Sequence, residues 1–395
     1  MFLPIHVDAK QINDNQYLLT NQITSTNIKI GANELYFLSY LYKKNNNIKA
    51  EIHFQLNESQ QAYLEQKFNE LGFLSKKVST NILNKRKGSS LARFPIAFLN
   101  PESFLNKISF LTNRLMTKTS LFLIILLNFL AFTIFGLHHE VWLQQISLEK
   151  MNFSDFIIIY IMIILTLAIH ELSHAITCHF YGGKVRQIGI MVFYFNLALY
   201  CDVSSTYKFK EKYKKVIVIL SGLISQMIIS SISIISYYIL TFFGYNLNLL
   251  LYFSLLNFLI VIMNLIPLVK LDGYWLLTQL LDISNLRDKS FRYMISLFLP
   301  RYKTVTLQFP VNEIKIFKYY GLSSFIFTTL FWSYGIYYLY KLTSNINEWI
   351  SISVVLILGL LVIIHFYNSF IRYIIQMNKE LNVFLNTYHK SKVED

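Results

Sequence analysis

Six stretches of this chain, at about 119–137, 156–180, 215–243, 246–269, 318–340 and 349–372, are apolar over the roughly 17–25 residues that a helix needs to cross a bilayer. In lipid every backbone N–H and C=O must find its partner inside the protein, so each stretch reads as a helix and the chain as a mainly α, polytopic membrane bundle of about six spans. Composition agrees. Only 15% of the 395 residues are charged, against roughly 25% in an ordinary soluble domain. The 33 Phe and 27 Tyr suit lipid-facing and interfacial surfaces and imply no bound cofactor. Two cysteines, Cys178 and Cys201, allow at most one disulfide and exclude a multi-cysteine metal site.

The formal charge of +14 is informative through its placement. Lys107, Arg114 and Lys118 precede the first apolar run, whereas residues 138–155 set Glu140, Glu149 and Asp155 against Lys150 alone. The next connection holds Lys184, Arg186, Lys208, Lys210, Lys212, Lys214 and Lys215. Arg287, Lys289, Arg292, Arg301, Lys303 and Lys315 lie before the fifth run, and residues 342–348 have one acid and no base. Positive charge therefore alternates from loop to loop, which predicts cytoplasmic N- and C-termini. Residues 1–9, with Pro4, His6 and Asp8, lack the pattern of a secretory signal. Basic residues grouped by topology in this way give no reason to expect a nucleic-acid partner.

Residues 1–75 read as a small cytoplasmic α+β domain. Gln16 to Thr20 and Thr26 to Ile30 have strand character, while Ala32 to Lys43, Ile48 to Gln55 and Glu58 to Leu71 have helical character, the last ending at Gly72. Two strands followed by three short helices suggest a winged-helix-like module. Residues 76–115 read as linker, 116–285 as the membrane core, 286–317 as a cytoplasmic interfacial loop, 318–373 as two further spans and 374–395 as a cytoplasmic tail. Between the second and third runs, Gly182 to Asp202 is too short to span. Its glycines, β-branched and aromatic residues suit a re-entrant β-hairpin facing protein, with an edge able to pair with an extended substrate.

The second run contains His170-Glu171-Leu172-Ser173-His174. Residues four apart share a helix face, so both imidazoles can hold one metal ion while Glu171, one step round, addresses a metal-bound water as general base. A hydrolytic zinc centre needs a third protein ligand. Asp272 is the candidate, because the charge alternation brings the end of the fourth run, Asn264-Leu265-Ile266-Pro267-Leu268-Val269-Lys270-Leu271-Asp272-Gly273, to the same cytoplasmic depth, and an acid there needs a partner. The alternatives are Cys178 as third ligand, and an Asp272 that only caps a helix or pairs with Lys270. Asn264 could steady an oxyanion or the substrate backbone, or merely kink its helix with Pro267.

H-E-L-S-H on a membrane helix, a glycine-containing apolar hairpin and N-L-I-P-L-V-K-L-D-G closing another helix together resemble the site-2 protease family of intramembrane zinc metalloproteases, over about residues 155–280. The resemblance implies Zn2+ held by His170, His174 and Asp272, with Glu171 as catalytic carboxylate and Asn264 in a supporting catalytic role. Phe2-Leu3-Pro4, Glu34-Leu35-Tyr36-Phe37-Leu38 and Gly72-Phe73-Leu74 resemble the leader-peptide recognition modules of pathways that make modified ribosomal peptides. The combination is similar to peptide zinc metalloproteases encoded with bacteriocin-like peptides. It implies a multi-pass protein of the bacterial plasma membrane, a peptide or protein substrate recruited by its leader, and an ABC exporter as partner. Regulated cleavage of a membrane-anchored regulator is the alternative reading, and a catalytically silent membrane chaperone or immunity protein is a third. A di-iron oxygenase would need more histidine clusters, and a transporter more polar groups in the remaining spans.

Overall fold

The computed structural model describes residues 3–13, 16–21, 27–46, 48, 54–74, 93–145, 151–193, 196–306, 309–344 and 348–394. Contacts divide the chain into two units, one made of Met1–Lys87 with Ile283–Asp395 and the other of Gly88–Asp282.

In the first unit, β1 (Val7–Asn13), β2 (Gln16–Asn21) and β3 (Asn27–Gly31) form an antiparallel sheet in that order. Leu19 meets Leu35, Phe37, Leu38 and Leu41 of α1 (Ala32–Asn45), and Phe68 of α2 (Glu58–Glu70) completes the core with Phe73. Asn57 opens α2 with a capping box, its N–H donating to Gln60 Oε1 at 3.1 Å. Gly72 closes it at φ +73°, where a side chain would be strained, and its carbonyl accepts Asn21 Nδ2 at 2.7 Å. This bond ties the helix end to the sheet.

One sequence expectation changes here. The sheet has a strand before the expected two, β1, in which only Val7 and Ala9 mark an apolar alternation. No helix covers the described part of Ile48 to Gln55; residues 49–53 lie outside the described residues. Phe54 sits edge-on to Phe37, with ring centroids 5.1 Å apart.

The second unit begins with β4 (Arg93–Leu99), α3 (Glu102–Lys107) and α4 (Ser109–Leu115), all within the stretch expected to be linker. Next come α5 (Lys118–Gln145) and α6 (Phe153–Phe180), then β5 (Ile188–Phe193) and β6 (Asn196–Cys201). The hairpin exists as expected, and β4 adds to its β5 edge to give an antiparallel sheet in the order β4-β5-β6. Three helices follow: α7 (Lys212–Phe242), α8 (Asn248–Leu265) and α9 (Asp272–Leu281). Back in the first unit come α10 (Leu286–Phe298), α11 (Lys303–Thr306), α12 (Val311–Ser344) and α13 (Glu348–Glu394). There Arg292 pairs with Glu380, and Tyr373 donates to Asp288 at 3.0 Å.

Among the described residues five helices, α5, α6, α7, α8 and α13, are long and apolar enough to cross a membrane. The sixth expected span corresponds to α12, which is long enough but more polar, because Tyr319, Tyr320, Ser323, Ser324, Thr328 and Thr329 dilute its apolar residues. Leu121, Phe122, Phe129, Ile157, Ile161 and Leu165 are exposed along α5 and α6, as lipid contact allows. In contrast, 44% of the most apolar window of α7 is buried, so α7 is the helix on which α5, α6 and α8 assemble.

Lipid supplies no hydrophobic drive between helices, so small and polar residues set the contacts of α7. Ser230 Oγ donates to the Ser254 carbonyl at 2.8 Å and Ser254 Oγ to the Ser230 carbonyl at 2.9 Å, joining α7 to α8, while Ser231 Oγ reaches Asn128 Oδ1 on α5 at 3.0 Å. Replacing Ser230 with Leu should force α7 and α8 apart and cost about 1–3 kcal/mol. The expected result is a lower thermal unfolding midpoint in detergent than for wild type or for Ile232→Leu, whose side chain is exposed. Equal midpoints would contradict this packing.

Candidate metal centre

His170 and His174 lie on one face of α6 and turn toward α7, where their Nδ1 atoms are both engaged. His170 Nδ1 contacts Gln226 Oε1 at 2.9 Å, and His174 Nδ1 contacts the Val218 carbonyl at 2.7 Å. A carbonyl oxygen only accepts, so each Nδ1 carries the proton and each Nε2 presents a lone pair. The two Nε2 atoms stand 3.0 Å apart, in rings that are almost wholly buried.

Asp272 reaches the same point from the other side. α8 stops at Leu265, where Ile266 takes the extended backbone expected before Pro267. After the turn, Asp272 opens α9 in its first turn, where the helix dipole favours a carboxylate. Gly273 makes the approach possible, since a Cβ there would overlap the Leu265 carbonyl. The far end of α9 is pinned to α7 by Lys212 Nζ, which donates to the Leu280 carbonyl at 2.6 Å. Asp272 thus starts a helix, and Lys270 lies over the Tyr274 ring.

Asp272 Oδ2 lies 2.9 Å from His170 Nε2 and 3.5 Å from His174 Nε2. It is buried and has no aligned hydrogen-bond partner. Three electron-pair donors therefore converge, and ligand atoms about 2.0–2.1 Å from a tetrahedral zinc ion would stand roughly 3.3 Å from each other. The donor set fits that ion. Gly222 of α7 completes the cradle, for a Cβ there would lie 2.5 Å from His174 Nε2 and 2.6 Å from His170 Nε2.

These are the only three His, Cys, Asp or Glu residues among the described ones that could share a metal ion. Cys178 is engaged elsewhere, its Sγ 3.3 Å from Ser205 Oγ. Burial and the neighbouring Glu171 push the Cys201 thiol up. Glu171 is half-buried, and the Cys201 N–H bonds to its carboxylate. The Asp202 N–H donates inward to the Gln187 carbonyl at 2.9 Å, so that of Cys201 faces outward and Glu171 sits at the outer edge of β6. Asn264 is half-buried at the end of α8, and its side chain makes no hydrogen bond among the described residues. Val218, Gly222 and Gln226 were not foreseen, because α7 carries no motif. An amide and a glycine inside an apolar run were the available signals.

A buried pair of helical histidines, a facing aspartate and an adjacent glutamate define a candidate metal centre of hydrolytic type. The chain is similar to a Bacillus subtilis (strain 168) protein named "Putative peptide zinc metalloprotease protein YydH", with 29% identity over 164 residues. That match covers 40% of this chain and 63% of the relative, so the chain spans less than two thirds of the relative's length. No protein-family model matches the chain, and no solved structure matches it.

Gly222→Ala places a methyl group where the two imidazole nitrogens converge. Its zinc affinity should fall roughly tenfold or more, the scale on which disturbing a ligand's support acts. Gly136→Ala, where an added Cβ meets nothing within 4 Å, should keep full zinc content by elemental analysis. Equal zinc in the two variants would contradict the cradle.

Proposed function

We propose that this chain is an integral membrane zinc endopeptidase of the site-2 protease type. The observation that carries the reading is the convergence of His170 Nε2, His174 Nε2 and Asp272 Oδ2, with both Nδ1 atoms occupied and Glu171 beside them. The relative's name supports zinc and a peptide substrate. The zinc ion would supply Lewis acidity, bringing the pKa of water toward about 7 and polarising the scissile carbonyl. Glu171 accepts the proton of the attacking water and passes it to the leaving amine. The bond from Cys201 N–H aims that carboxylate, and the Asn264 amide is available to hold the substrate backbone or the developing oxyanion. An extended substrate adding to the outer edge of β6 would run past Glu171.

The substrate we propose is a ribosomally made, modified peptide of bacteriocin-like type, recruited through its leader by residues 1–75 and passed to an ABC exporter. The protein would be multi-pass in the bacterial plasma membrane, with cleavage at the cytoplasmic side. At 34 residues, α12 spans about 51 Å at 1.5 Å per residue. It is long enough to serve as the sixth crossing that leaves both termini cytoplasmic. Charge alternation among the loops supports that orientation.

The test compares purified wild type with Glu171→Gln at matched zinc content, using the small peptide encoded beside the gene and mass spectrometry of the products. Wild type should release defined fragments, and the variant should cleave about 10²–10⁴-fold more slowly, the contribution expected of a general base. Equal cleavage by both would remove Glu171 from the chemistry. Zinc binding without cleavage of this peptide by either protein would redirect the proposal to a membrane-anchored protein substrate.

A further inference from the structure

Gln226 lies in the middle of α7 and Asn257 in the middle of α8, and both are fully buried. An unpartnered amide at this depth would be costly, so the pair needs a reason to be there. Gln226 Oε1 accepts from His170 Nδ1 at 2.9 Å. The other half of the same amide is also fixed, with Gln226 Nε2 donating to Asn257 Oδ1 at 3.4 Å. Asn257 Nδ2 in turn donates to the Gln226 backbone carbonyl at 3.0 Å. The closed exchange leaves Gln226 one orientation, with its carbonyl oxygen toward the imidazole. Were the amide flipped, its NH2 would face Nδ1, and His170 would have to protonate Nε2 instead.

We propose that Gln226, held by Asn257, is a positioning residue that selects the Nε2 lone pair of His170 for the metal and fixes the plane of its ring. The inference rests on the metal centre proposed above and assigns a role to two residues outside it. His174 obtains the same service from a backbone carbonyl, Val218, which cannot rotate. His170 depends on a side chain that can, and Asn257 is the lock. Serine pairs such as Ser230 with Ser254 already join α7 to α8, so helix association alone does not require this amide network.

Zinc affinity of the full-length protein in detergent, measured by competition with a chromophoric chelator, tests the role without any cleavage assay. Gln226→Met keeps the volume and removes the acceptor, and its dissociation constant should rise by about 10–100-fold. Gln226→Glu restores an acceptor and should bind within about threefold of wild type or more tightly, even if a buried carboxylate lowers the melting temperature of the metal-free protein. Asn257→Ala, which leaves Gln226 in place but unlocked, should fall between. Affinity should thus follow the acceptor and not the melting temperature. Wild-type affinity in Gln226→Met, or equal weakening in Gln226→Met and Gln226→Glu, would overturn the inference. If Gln226→Met does not fold, wild-type affinity in Asn257→Ala would overturn it. Failure of the wild-type protein to bind zinc would be a separate result that removes the metal centre itself.

Discussion

Two imidazole nitrogens and one carboxylate oxygen, all electron-pair donors, stand 2.9–3.5 Å from one another in a largely buried site. Such a cluster is repulsive unless a cation lies among the donors, and the surrounding unit is organised around holding it. α6 brings the histidines, the start of α9 brings the aspartate, and α7 occupies both imidazole Nδ1 atoms while yielding space at Gly222. No one of these helices makes the site, because each supplies only part of the ligand set or its support.

The same demand explains why α7 differs from its neighbours. Where α5 and α6 expose Leu, Ile and Phe, α7 carries Ser221, Gly222, Gln226, Ser230 and Ser231 on buried positions. In a medium that offers no water, each polar group must be answered within the protein, and for most of these residues by another helix. Asn128, Ser254, Asn257 and the two histidines provide the answers. Glycine and serine also bring backbones close, which the short distances of the centre require. Packing and site construction here are one set of contacts.

Much of this was legible in the sequence because apolar length and i, i+4 spacing are local properties. The helices around His170 and His174, the hairpin and the approach of Asp272 follow from hydropathy, charge alternation and one motif each. What was not legible depends on partners distant along the chain. β4 is recognisable only once β5 offers it an edge, and β1, whose apolar alternation stops after Val7 and Ala9, only once β2 pairs with it. Phe54 reads as part of an apolar run, and its place against the Phe37 ring depends on a partner seventeen residues away. Tyrosines make α12 more polar than its length suggested. Gln226 and Asn257 look like stray polar residues until the fold sets them behind His170.

The most direct measurement of the central claim is zinc K-edge X-ray absorption on the purified full-length protein. The account predicts one zinc ion with two imidazole nitrogens and carboxylate or water oxygen, at about 2.0–2.1 Å, and no sulfur. A shell at about 2.3 Å, the distance of zinc to thiolate, would replace Asp272 with Cys178 or Cys201 and contradict the geometry described. A spectrum without imidazole scattering would place the metal elsewhere and remove His170 and His174 from the centre.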